Sequence, residues 1–195
     1  MLTVARDALR AELAAATRLL RLYAGADPSF LEAAVAWFES ATSSASKLSS
    51  RTRSAIARES AYAMSSARGY RDPALPADLP SRRARIVTLG LCVARAQVML
   101  EDELRSVESR LEVITEKLVQ LLAVAAREIP LTFEEGADVR SQAVALWATL
   151  TRHSQETILM VNYIRLALEP GDRVALIAEL LERAVADKPV LRAAR

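Results

Sequence analysis

Residues 100–125, LEDELRSVESRLEVITEKLVQLLAVA, carry the strongest pattern in the chain. Large apolar residues recur there four and three positions apart, which keeps them on one side of an α-helix for more than three heptads. A stripe of this kind faces a partner helix along its whole length. The repeat predicts a helix–helix interface, called the seam below, that is formed by Leu100, Leu104, Val107, Leu111, Ile114, Leu118 and Leu121.

The helix that contains the seam is predicted to be very long. It extends from about residue 81 to residue 129, because prolines stand immediately outside it at Pro80 and Pro130. At 1.5 Å per residue this helix measures about 70 Å. The preceding residues 70–80 hold three prolines and two aspartates, so they are predicted to form the one substantial loop inside the chain.

Helix-forming patterns continue on both sides of this centre. A first helix is expected from Thr3, its N-cap, to Gly25, and a second from Pro28 to about Arg68, where the Ser/Ala-rich residues 43–50 allow a break. The capping box that begins at Thr132 opens a fourth helix, which extends to Leu168. Asp172 caps a fifth helix, which Lys188-Pro189 ends, and this leaves a short tail over residues 188–195.

Composition agrees with a helical fold. The chain of 195 residues is 52% hydrophobic, mostly Ala and Leu, and its five glycines and seven prolines leave little material for turns. We therefore predict an all-α fold: an elongated, antiparallel bundle of about five helices with one very long heptad-patterned helix. Residues 1–195 are expected to form a single helical-bundle domain.

Charge is unevenly distributed, although the formal net charge is only +2. Residues 43–95 hold ten basic side chains and three acidic ones, whereas residues 96–139 hold four and ten. Lys47, Arg51, Ser54 and Arg58 lie within about 60° of one another on a helical wheel, and cations with short hydroxyls suit contacts with phosphate. The candidate phosphate contacts are Lys47, Arg51, Arg58, Arg68, Arg82, Arg83 and Arg85.

An internal partner is the competing interpretation of this basic segment. The acidic stretch from Glu101 to Glu116 belongs to the same chain and could pair with it, within one copy or between copies. Tyr62 and Tyr70 are the only aromatic residues near the basic stripe, so base-specific recognition of nucleic acid is not expected.

Catalytic and metal sites are not predicted. His153 and Glu156 stand three residues apart on one helical face, but a dinuclear carboxylate site needs histidines from two helices, and the chain has one histidine. Cys92 is surrounded in sequence by apolar residues, which is typical of an inert core thiol. Glycines are too scattered for a phosphate-binding loop. No catalytic residue, metal or cofactor is therefore expected.

Several features favour the cytoplasm. A single cysteine gives no internal disulfide, and the charges at Arg6, Asp7 and Arg10 interrupt the apolar stretch that a secretion signal needs. Binding to a membrane surface is not expected, because the bulky Trp37 and Phe38 precede the basic part of the second helix. The preference for arginine over lysine is also what a GC-rich bacterial genome produces without a functional reason.

These observations lead to two functional hypotheses. The first is a non-enzymatic helical interaction or scaffold subunit of a larger assembly, which has a protein partner or associates with itself. The alternative is a small helical subunit of a nucleoprotein complex that binds the nucleic-acid backbone through residues 43–95.

Overall fold

The computed structural model describes residues 1–44, 49–128, 138–152 and 155–193 of the chain. Every regular element in these ranges is an α-helix, so the all-α prediction is confirmed, as is the long central helix. That helix, α4, has 48 residues and begins at the predicted position after Pro80. The helices are α1 (Leu2–Ala24), α2 (Phe30–Ser44), α3 (Ser50–Ala67), α4 (Ser81–Glu128), α5 (Val139–Leu150), α6 (Gln155–Ala167) and α7 (Pro170–Ala193).

In the described residues, two predicted helices each correspond to two shorter helices, so about five helices is too few. The first of these divisions falls within residues 43–50, where the sequence allowed a break. The predicted second helix becomes α2 and α3, and α3 begins at Ser50 after its N-cap Ser49, whose hydroxyl accepts a hydrogen bond from the Thr52 amide at 3.3 Å. The predicted fourth helix becomes α5 and α6, and Thr151 is the C-cap of α5. Serine and threonine hydroxyls compete with the backbone of a helix interior, which explains both divisions. The predicted capping box at Thr132 lies outside the described residues.

The role of Asp172 was predicted wrongly. α7 begins at Pro170, and the Asp172 carboxylate accepts hydrogen bonds from the first turn of α1 instead of capping its own helix. Its oxygens lie 2.7 Å from the Leu2 nitrogen, 2.9 Å from the Thr3 nitrogen and 2.6 Å from the Thr3 hydroxyl. Thr3 is therefore inside α1 and donates to Asp172 rather than serving as its N-cap.

The predicted end of the last helix is also wrong. α7 continues through Pro189 to Ala193, where a stop at Lys188-Pro189 and a tail were expected. A proline removes one backbone hydrogen bond from a helix, and this can be tolerated when neighbouring turns remain formed.

Contacts group the chain into two units, which are described separately: unit A comprises Ala5–Val107, and unit B comprises Met1–Val4 with Glu108–Arg195. In unit A the helices α2 and α3 pack against each other. The centre of its core consists of Phe30, Phe38, Ile56 and Leu89, each of which is at most 2% exposed.

Close packing in unit A depends on a glycine. A β-carbon at Gly90 in α4 would lie 2.8 Å from the Tyr23 ring, which is too close for any side chain, so glycine lets the tyrosine lie against the helix backbone. The Tyr23 ring in turn packs at 5.3 Å from the ring of Phe30.

The core of unit B is built where α5 packs on α7. Leu150, Ile164 and Ile177 are at most 1% exposed. The Arg173 guanidinium lies 5.1 Å from the centre of the Trp147 ring, a distance suited to a cation–π contact.

Candidate functional site

The seam of α4 is covered within the chain itself. Leu104 is half-buried, whereas Leu100, Val107, Leu111, Ile114, Leu118 and Leu121 are at most 5% exposed. Its first three residues belong to unit A, and the remainder belong to unit B. A second molecule that binds the folded chain therefore needs another surface.

The α3 helix presents a continuous cationic face. Exposed residues recur along it at intervals of three and four, while the opposite side, which includes Ile56 and Ala63, is buried. Three of these exposed residues are arginines, and none is acidic. This surface, called the α3 face below, consists of Arg51, Ser54, Arg58, Ala61, Ser65 and Arg68.

The remaining predicted phosphate contacts are placed differently. Lys47 lies outside the described residues, so the structure places only Arg51, Ser54 and Arg58 of the predicted stripe, all of them on α3. In the first turns of α4, Arg82 and Arg83 are exposed and Arg85 is half-buried. Arg82 and Arg83 line a different cleft from Arg58, so they are not part of the α3 face.

One buried carboxylate beside the α3 face was missed by the sequence analysis. Glu59 is 6% exposed and accepts a hydrogen bond of 2.9 Å from Nε of Arg95 in α4, while Nε of Arg58 lies 3.8 Å from its other oxygen. Burial opposes ionisation of Arg95, but its hydrogen bond and attraction to Glu59 outweigh this effect and raise its pKa. Part of the basic segment is thus neutralised internally. The available signal was that Glu59 is the single acidic residue of α3.

A second carboxylate joins the acidic part of α4 to the start of α3. Glu103 accepts hydrogen bonds from the Ser49 hydroxyl at 3.0 Å and the Thr52 hydroxyl at 2.9 Å. A carboxylate is favourable at the N-terminus of a helix, where the first backbone amides lack hydrogen-bond acceptors. The acidic stretch therefore contacts the basic segment through hydroxyl groups here.

Next to Glu59 lies an open cleft of about 470 Å³ that includes Tyr62, Asp72 and Arg95. Desolvation and a hydrogen bond to Asp72 raise the pKa of Tyr62 to about 12, so the phenol remains a hydrogen-bond donor at neutral pH. Burial likewise raises the pKa of the Cys92 thiol to about 11, although Arg95 partly opposes the shift. Neither group is a nucleophile under these conditions.

Among the described residues, the two most exposed large apolar side chains lie on α6, which the sequence analysis also missed. Leu166 is 91% exposed, Leu159 is 77% exposed, and Ile158 and Tyr163 are each 48% exposed. These four residues form the α6 face. The other side of the helix is buried through Thr157, Val161 and Ile164, and so is Leu168 immediately after it. The sequence TILMVNYIRLAL is apolar on all sides, so its pattern does not indicate which side is covered.

The described ranges contain no group of three or more His, Cys, Asp and Glu side chains arranged to hold a metal ion. His153 lies outside these ranges. None of the helices found in them combines the length and apolar character of a membrane-spanning segment.

Comparison of the chain with protein-family models, with curated proteins and with solved structures gives no match.

Proposed function

We propose that the chain is a non-enzymatic helical interaction subunit of a cytoplasmic assembly and that it binds a protein partner through the α6 face. The observation that supports this proposal most is the exposure of Leu159 and Leu166 on one helix. Soluble proteins rarely leave neighbouring large apolar side chains in water, and such patches are typical of protein-binding surfaces.

The arrangement of α6 suits a helix-in-groove contact. Its apolar residues project from a helix whose opposite side is already anchored, so the face is held in place before a partner arrives. Full burial of each leucine contributes about 1.5–3 kcal/mol. Arg165 is also exposed on this helix and lies beside Ile158 at the edge of the face, where interfaces commonly carry polar residues, and the exposed Asn162 lies between Ile158 and Leu166.

The double variant Leu159→Glu/Leu166→Glu tests this proposal. We expect it to abolish association, because two carboxylates would have to be desolvated in the contact, while helicity and thermal stability stay near wild type because both positions are exposed. Light scattering over a range of concentrations measures self-association, and quantitative co-purification measures association with other proteins.

Val98→Glu is the matched control, since Val98 is a 57% exposed apolar residue of α4 in the other unit. It should associate like wild type. A wild-type chain that remains monomeric and recovers the same proteins as the double variant would refute the proposal.

A second candidate function, binding to the backbone of a nucleic acid, is supported by the α3 face. It presents three arginines without an exposed carboxylate on the same helix. Lys47, Arg82, Arg83 and Arg85 are the further candidate contacts. Such binding depends on counterion release, so its affinity falls steeply as salt concentration rises.

The triple variant Arg51→Gln/Arg58→Gln/Arg68→Gln tests this alternative. Fluorescence anisotropy with a labelled RNA or DNA strand measures this binding. The negative slope of log affinity against log salt should become shallower by about 0.7–0.9 for each phosphate contact removed. Arg105→Gln/Arg110→Gln/Arg127→Gln changes the net charge equally on the acidic part of the chain and should keep the wild-type slope. If wild-type affinity is independent of salt, this function is excluded.

A further inference from the structure

A second cleft of unit A has the features of a small-molecule site. It lies between the end of α1, the beginning of α2 and the beginning of α4, and its volume is about 620 Å³. Ligand sites commonly measure about 300–1,000 Å³ and combine an apolar lining with a few polar groups.

The inner wall of this cleft is apolar and aromatic. Phe30 is 2% exposed, and Tyr23 packs against it with a tilt of 52° between the rings. Leu22, Ile86 and Val87 are half-buried and complete this wall. These partly exposed surfaces are stabilised when the apolar part of a ligand displaces water from them.

The rim of the cleft is positively charged. The exposed residues Arg82 and Arg83 line it, and neither guanidinium pairs with a carboxylate of the described residues. The one acidic residue of the lining, Asp27, already accepts hydrogen bonds from the Ser29 amide at 2.8 Å and the Ser29 hydroxyl at 2.6 Å. Hydrogen bonds from Ser29 hold the pKa of Asp27 below its usual value, so it stays ionised, and the rim keeps a net charge of about +1.

We propose that this cleft binds a small amphiphile with one anionic head group, a carboxylate or phosphate monoester, on an apolar chain. The head group is held by Arg82 and Arg83, whose planar guanidinium groups match the oxygens of either anion. The apolar chain lies against Tyr23, Phe30 and Val87. This inference uses neither the α6 face nor the α3 face. It shares Arg82 and Arg83 with the nucleic-acid alternative, from which the head-group series and the Val87→Phe variant separate it.

Titration calorimetry with decanoate, below the concentration at which it forms micelles, tests the proposal. We expect saturable binding of one decanoate per chain, about tenfold weaker binding of neutral decanol, and no measurable binding of decyltrimethylammonium. Within the series octanoate, nonanoate and decanoate, affinity should rise by up to about fourfold per methylene group.

Variants separate this site from non-specific attraction. Arg82→Gln/Arg83→Gln should weaken decanoate binding at least about tenfold, whereas the equally charged control Arg51→Gln/Arg68→Gln should leave it unchanged. Val87→Phe, which narrows the cleft, should weaken decanoate and decanol alike; circular dichroism and thermal melting verify that each variant is folded.

Equal affinity for the three head groups would overturn the proposal, as would wild-type binding by Arg82→Gln/Arg83→Gln. Vesicles with and without anionic phospholipid distinguish a free amphiphile from a membrane surface. If the protein binds anionic vesicles but shows no saturable binding of decanoate, the arginines bind membranes by charge alone, and the proposal of a ligand site in the cleft is refuted.

Discussion

Replacing Asp172 with alanine is expected to lower the free energy of unfolding by about 3 kcal/mol, because it leaves buried donors without an acceptor. Asp172 is 1% exposed and Thr3 is 4% exposed, so water cannot readily replace the three hydrogen bonds that join them and Leu2. Whole domains are stable by only about 5–15 kcal/mol, so the loss is substantial. Urea unfolding followed by circular dichroism at pH 7 measures it.

The dependence on pH provides a second readout of the same contact. Burial opposes ionisation of Asp172, but hydrogen bonds from Thr3 and Leu2 outweigh it and hold its pKa below the usual value. The stabilisation is therefore complete above the unfolded pKa of about 3.9 and is lost as pH falls through the lower folded pKa. Wild type should exceed Asp172→Asn in stability at pH 7, and the difference should shrink below about pH 4. A constant difference, or a loss below about 1 kcal/mol in Asp172→Ala, would contradict this account.

Replacing Leu118 with alanine is expected to cost about 3 kcal/mol, since the side chain is fully buried and its removal leaves a cavity. Leu118 lies near the C-terminal end of the seam, on the part of α4 that belongs to unit B. The expected result is a lower urea midpoint, while the dependence of the unfolding free energy on urea concentration stays unchanged. Such a result shows that the stability of the folded state changed and the compactness of the unfolded state did not.

The adjacent residue Val119 provides the control for this prediction. It is 48% exposed, so Val119→Ala should change stability by less than about 0.5 kcal/mol. Because neighbouring positions on a helix differ by 100°, the pair tests the rotational phase of α4 directly. Equal losses in the two variants would mean that the buried side of this helix is assigned wrongly.

Local signals were enough to predict α1 and α4. Pro80 precedes α4 and Gly25 follows α1, and each acts on the backbone immediately beside it. The seam as a heptad interface stays a prediction, which rests on a repeat of large apolar residues and on helical geometry alone. The break in the second helix was allowed at residues 43–50, whereas the division of the predicted fourth helix was not foreseen, since serine and threonine weaken a helix without forbidding it.

The missed residues share another property, which is that their roles depend on partners far away in sequence. Glu59 accepts a hydrogen bond from Arg95, 36 positions later, and Asp172 accepts one from Thr3, 169 positions earlier. Apart from the isolation of Glu59 as the single acidic residue of α3, no local pattern around either carboxylate indicates that it is buried. The α6 face was missed for a related reason: a helix that is apolar on all sides needs the tertiary structure to show which side is open.

The burial of Cys92 has a practical consequence for spectroscopy. It is the only cysteine of the chain, it is fully buried, and its raised pKa keeps the thiol protonated at neutral pH. A cysteine introduced at an exposed position of α3 or α6 will therefore be the one reactive thiol in the folded protein. Fluorescent or spin labels can be attached to either surface selectively while Cys92 stays in place.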